Sequence, residues 1–190
     1  MKKTIVYFEK RGPENTAETL RLAKERADEL GIKDIVVAST HGGTALKAAD
    51  LFNPKENNLV AVTICEGFKD LGWTMKAEER EKLERRGIKV LTCIHALGDD
   101  VGSAFTEKHG GYTPETAVRE TLYRFCQGMK VAVEIVLMAA DAGLVPTNRE
   151  VIAIAGSGEG ADTAIVIQPA YTRKFHELKI KEIIAKPREP

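Results

Sequence analysis

The sequence predicts a three-layer α/β/α domain on a mostly parallel sheet, with one antiparallel strand near one edge. Three observations carry this. Strand-like and helix-like segments alternate along the 190 residues. The strand segments are continuous apolar runs such as Ile35 to Ala38 and Leu59 to Ile64, as expected for strands covered on both faces. The last two runs, Val151 to Ala155 and Ala164 to Ile167, lie too close together to be parallel neighbours, because a parallel crossover needs a dozen residues or more.

The elements follow in order. Ile5 to Phe8 reads as a strand buried on both faces. Gly12-Pro13-Glu14-Asn15 is a turn, with Asn15 as cap of a helix from Thr16 to Leu30 whose Leu20, Ala23, Ala27 and Leu30 share one stripe; Gly31 ends it. The strand Ile35 to Ala38 passes through Ser39-Thr40-His41-Gly42-Gly43 into a helix from about Thr44 to Phe52. The strand Leu59 to Ile64 leads into a polar loop and a charged helix, Ala77 to Arg86. After Ile88 to Leu91 comes a long loop, 95–112, and then Thr113-Pro114-Glu115, a cap, a first-turn proline and an acid. One helix of about thirty residues is expected to run from there to Ala142. Arg119, Arg124 and Lys130 read as its solvated face, and Ala132, Ala139 and Ala140 as a surface for close packing on the sheet or on another subunit. Lys179 to Ala185 adds a strand or a docking tail, and 186–190 read as frayed. No repeat or linker divides the chain, so residues 1–190 form one domain.

Composition narrows the partners. Lys plus Arg and Asp plus Glu number 28 each, without the basic excess of a nucleic-acid binder. A charged fraction of 29% rich in Lys, Glu and Arg suits a thermophilic protein. No apolar run reaches the roughly 18 residues of a membrane span, and Ile5 to Phe8 is too short for a signal segment. Three cysteines (Cys65, Cys93, Cys126) without paired spacing suit a reduced, cytoplasmic setting.

In a doubly wound sheet, ligands bind at the carboxyl ends of the strands. Two loops there stand out. Ser39-Thr40-His41-Gly42-Gly43-Thr44 opens into a helix, so free N–H groups and the positive dipole end converge where a phosphate would sit. The alternative is that Thr44 caps the helix and the glycines only shape the turn. With no Gly-Lys-Ser/Thr, it is not a triphosphate-binding loop. Gly156-Ser157-Gly158-Glu159-Gly160 joins two strands, and reads as a hairpin or as a second ligand contact. Gly67, Phe68 and Trp73 lie beside the same edge; core packing or a lid is the default role of each ring, and a stacking surface for a flavin or purine is the alternative. Catalytic candidates are His41 as general acid or base and Cys65, next to Glu66, as nucleophile. His41, His95, Cys65 and Cys93 lack zinc-type spacing, so no metal is expected.

Across roughly residues 34–169, the chain resembles the C-terminal α/β domain of pyruvate kinase. The resemblance rests on Ser39-Thr40-His41-Gly42-Gly43-Thr44-Ala45 after a strand, the following strand Leu59 to Thr63, the long helix, and an ending in which Val151 to Ala155 passes through Gly156-Ser157-Gly158 to Ile165 to Pro169. As a whole the chain resembles stand-alone archaeal proteins of this fold, to which no activity is assigned. The resemblance implies phosphate at Thr40, Gly42, Gly43 and Thr44, since in some pyruvate kinases these loops form an allosteric sugar-bisphosphate site. The last loop here lacks the Trp and Arg that help to hold the second phosphate, and His41 and Gly43 depart from the family loop. The expected ligand is therefore a phosphorylated small molecule with one phosphate, such as the mononucleotide FMN. A chain of 190 residues has no room for the catalytic barrel, so pyruvate kinase activity is not expected. A small phosphatase or lyase and an oligomeric regulatory module are the competing functions.

Overall fold

The computed structural model describes residues 2–189. Its sheet has seven strands: β1 (Val6–Phe8), β2 (Asp34–Ala38), β3 (Asn58–Val62), β4 (Lys89–Leu91), β5 (Val151–Ala155), β6 (Thr163–Gln168) and β7 (Lys179–Pro187). They lie in the order β1-β7-β6-β5-β2-β3-β4. Only β6 runs against the rest, antiparallel to both β5 and β7.

Alternation along the strands sorts their side chains into two cores. Ile35, Val37, Leu59, Ala61, Ile152 and Ile154 face one side, under α1 (Thr16–Leu30), α2 (Gly43–Leu51) and α3 (Ala77–Arg85). Val36, Val60, Val62, Val151, Ala153 and Ile165 face the other, under α6 (Gln127–Asp141) and the end of α5 (Pro114–Tyr123). Both faces are covered, which is why the inner strands read as unbroken apolar runs. Ala132, Ala139 and Ala140 are fully buried and let α6 settle close onto the sheet.

From β2 the chain steps outward through β3 and β4, then returns to β5 and steps the opposite way through β6 and β7. Strand order therefore reverses between β2 and β5, whose carboxyl ends share one edge because the two are parallel. A crevice opens at such a point.

Several expectations need correction. β1 is an edge strand paired only with β7, and Tyr7 is more than half exposed. Asn15 does not cap α1: its amide donates to the carbonyls of Lys10 and Gly12. The long loop contains α4 (Val101–His109), capped by the Asp100 carboxylate on Ser103 N at 2.7 Å. The thirty-residue helix is two helices, broken at Cys126, whose extended backbone lets Sγ accept from Met129 N. Tertiary fit forces this break. A Cβ on Gly128 would stand 2.1 Å from Thr163 Oγ1, so the first turn of α6 is pressed onto β6. The tail is ordered further than expected: Lys186 and Pro187 belong to β7, and Arg188 N donates to Phe8 O at 2.9 Å. Pro190 lies outside the described residues. Among the described residues, no helix is long and apolar enough to cross a membrane.

Candidate functional site

A cleft of about 690 Å³ opens at the crevice between β2 and β5. It is walled by the loops after β2, β3 and β5, by one face of α6, and by Phe68, Trp73, His95 and Asp99. Its size lies within the range of about 300–1,000 Å³ common to small-molecule sites.

The loop after β2 is shaped by one glycine and one serine. Gly42 has φ +82, a left-handed conformation that costs a side chain roughly 1–2 kcal/mol. That turn aims the start of α2 at the cleft. Ser39 Oγ accepts from Ala45 N at 3.2 Å, and Gly42 O accepts from Leu46 N. The N–H groups of Gly43 and Thr44 have no hydrogen-bond partner among the described residues. They are the open donors at the positive end of the helix dipole. Thr44 is buried inside α2 and is not its cap. Lys47, one turn further on, adds a cation to the lining. His41 stands at the rim, its Nδ1 3.1 Å from Glu79 Oε2. Glu79 also accepts from Lys76 N at 2.8 Å. That bond first, and His41 second, hold the Glu79 carboxyl below the usual range.

The loop after β5 is organised by Asp162, a fully buried residue that the sequence reading passed over. Its Oδ2 accepts from Gly12 N and Ser157 N, and its Oδ1 from the Thr163 hydroxyl. Thr16 Oγ1 accepts from Ala161 N, tying the loop to α1. The Ser157 N–H is therefore already used, and exposed Glu159 sets a carboxylate at the cleft mouth.

An aromatic column stands nearby. Phe68 and Trp73 stack with centroids 5.6 Å apart and planes 10° apart, and His95 lies on Phe68 at 6.1 Å. His95 Nδ1 is 2.5 Å from Asp99 Oδ2, and the bonded His95 ring holds the Asp99 carboxyl below its usual range. On α6, Lys130 pairs with Glu134, and both are buried in the cleft wall. Glu134 Oε1 also accepts from Leu97 N at 2.9 Å. Lys130 is thus no part of a solvated face.

Of the expected site residues, Ser39, Thr40, His41, Gly43, Thr44, Phe68, Gly156 and Gly158 line one cleft. Gly42 shapes the turn from behind, against Leu83. Cys65, Glu66, Gly67 and Ser157 are not among the lining residues; Cys65 is buried, while Glu66 and Gly67 are exposed. Burial pushes the thiols of Cys93 and Cys126 up, away from thiolate reactivity. No group of three or more His, Cys, Asp or Glu among the described residues is arranged to hold a metal ion. Sequence reading missed Lys47, Tyr123, Lys130 and Glu134 as lining residues, along with Asp99.

Two solved pyruvate kinase structures from Cryptosporidium parvum are similar to the chain. One is 14% identical, with a TM-score of 0.40, over 78% of this chain and 22% of that one. The other, in complex with ADP, is 16% identical, with a TM-score of 0.40, over 93% of this chain and 25% of that one. The chain thus spans about a quarter of the length of the pyruvate kinases it matches. The family model described as "Pyruvate kinase, alpha/beta domain" matches residues 17–167, most of the sheet and both cleft loops, and the chain belongs to that family.

Proposed function

We propose that this cleft binds a phosphorylated small molecule, with one phosphate on the N–H groups of Gly43 and Thr44 and a flat ring against the Phe68–Trp73 column. A mononucleotide such as FMN is the leading candidate. The observation that carries the reading is that two unpartnered helix-start N–H groups and a stacked aromatic pair line the same cleft. Each favours half of such a ligand: backbone donors and the dipole favour the anion, and the column favours a ring. A bisphosphate fits less well, since Ser157 N is held by Asp162 and Glu159 would repel a second phosphate.

Calorimetric titration with FMN, riboflavin and inorganic phosphate separates the halves. Hydrogen bonds to a charged group contribute about 1.5–3 kcal/mol, so FMN is expected to bind at least tenfold tighter than riboflavin. Equal affinities would remove phosphate from the account, and no binding of any of the three would remove the reading.

A further inference from the structure

The wall opposite α2 carries two charged pairs that ligand binding alone does not require. His95 gives Nδ1 to Asp99, 2.5 Å away, which leaves Nε2 as the lone-pair nitrogen of the ring. Nε2 has no partner among the described residues, the side chain is 15% exposed, and His95 lines the cleft. Asp99 reaches the imidazole from a left-handed backbone, φ 58, alone among the described non-glycine residues. Such a conformation costs of order 1–3 kcal/mol, and such residues cluster at functional sites. The Phe68 ring lies against the imidazole, with centroids 6.1 Å and planes 29° apart.

Lys130 is the second part. Its side chain is only 8% exposed, and its ammonium donates to Glu134, whose other oxygen is fixed by Leu97 N. An ammonium has three donors, so two remain for the cleft that Lys130 lines. His95, Asp99, Lys130 and Glu134 all line the same cleft, so one ligand can meet both pairs.

The geometry points to a proton-transfer centre: His95 Nε2 is the general base and acid, Asp99 is its positioning residue, and Lys130 holds the oxygen that becomes negative. The matching substrate class is a small phosphorylated aldehyde or ketone. A C–H bond beside the carbonyl breaks and its proton goes to Nε2. The bonding pair forms the enolate double bond, while the carbonyl π pair moves onto the oxygen facing Lys130. Return of a proton from Nε2 to the same carbon restores the carbonyl and closes the cycle without oxidant, reductant or co-substrate. Phosphoester cleavage through a covalent intermediate fits less well, because Cys65 does not line the cleft and the Ser39 hydroxyl is bonded to Ala45 N. The inference rests on the phosphate half of the proposed function and not on the ring.

The test is hydrogen–deuterium exchange in D2O by NMR, using the full chain with dihydroxyacetone phosphate and with dihydroxyacetone. Positioned general bases contribute about 10²–10⁴-fold. Exchange of the carbon-bound hydrogens of the phosphate ester is expected at least about 100-fold above buffer, with His95→Gln returning it to near background. Asp99→Gly suits the left-handed backbone and is expected to fold. It is expected to slow exchange and to shift the ¹⁵N spectrum of His95 away from the Nδ1–H tautomer, a change that a merely structural role would not produce. Wild-type exchange at background, with inorganic phosphate still binding, overturns this inference and leaves the phosphate reading standing. Equal exchange of both probes overturns the phosphate reading and leaves the dyad. Full exchange in His95→Gln overturns the assignment of the base.

Discussion

Replacing Gly42 by Ala tests the turn that aims α2 at the cleft. Two costs add. The left-handed backbone, φ +82, costs a side chain roughly 1–2 kcal/mol. The new Cβ would also stand 3.1 Å from Leu83 Cδ1 and 3.2 Å from its Cδ2, and Leu83 is fully buried, so crowding adds about 1–3 kcal/mol. The expected loss, about 2–5 kcal/mol, corresponds to roughly 4–20 °C in midpoint for a domain of this size. Leu83→Ala alone should cost about 2–5 kcal/mol through the cavity it leaves. In the double variant the methyl group added by Gly42→Ala enters that cavity, so the crowding cost disappears while the backbone cost remains. The combined loss should fall short of the sum by about 1 kcal/mol or more, outside the ~0.5 kcal/mol expected of independent sites. Urea unfolding of the four proteins gives the cycle. A Gly42→Ala change under ~0.5 kcal/mol, or strict additivity, would refute the account of this turn.

Three other outcomes follow from the same structure. Gly160→Ala, at φ +69, would set a Cβ 2.6 Å from Pro13 Cα and 2.4 Å from Thr16 Oγ1, whereas Gly158→Ala, at φ +83, meets nothing within 4 Å. Urea unfolding should show the first costing about 1–3 kcal/mol more than the second, which has only the backbone term; equal costs would contradict the packing. Lys130→Met leaves the Glu134 carboxylate buried without its cation, an expected loss of about 3–5 kcal/mol that Lys130→Met/Glu134→Gln, which removes the charge and keeps the acceptor for Leu97 N, should largely recover; a double variant as unstable as the single would refute a buried pair. Bonds from Arg26 hold the Glu182 carboxyl below its usual range, so its ionised form is favoured in the folded state. The stability gap between wild type and Glu182→Gln should be full above the ordinary carboxylate value of about 4.3 and close as pH falls through the lower folded value; a gap that does not change with pH would contradict this.

The inner sheet was legible because burial on both faces leaves β2, β3, β5 and β6 as plain apolar runs between turn residues. The start of α2 was legible because Gly42 and Gly43 follow a strand. The edge strand β1 misled because a run of four apolar residues looks the same whether or not both faces are covered. α4 was missed because none of its residues is buried, so no apolar stripe marks it; the Asp100 cap was the available signal. The break at Cys126 has no sequence mark, since it follows from the fit of Gly128 against Thr163, 35 residues further on. Lys130 was legible in retrospect. Met129, Ala132 and Val133 surround it on an otherwise apolar stretch, and Glu134 stands at the spacing that lets it pair. Lys130 stands in the first turn of α6, yet it is buried and lines the cleft. Asp162 gave no local sign, because its partners Gly12 and Ser157 come from two separate loops.

The backbone amides of Gly43 and Thr44 are the most direct reporters of the central claim. In ¹H–¹⁵N spectra, titration with FMN is predicted to move both resonances strongly, and inorganic phosphate is predicted to move the same two in the same direction at higher concentration. Shifts confined to the Gly156–Gly160 loop, or none at Gly43 and Thr44 while FMN binds, would contradict a phosphate held at the start of α2.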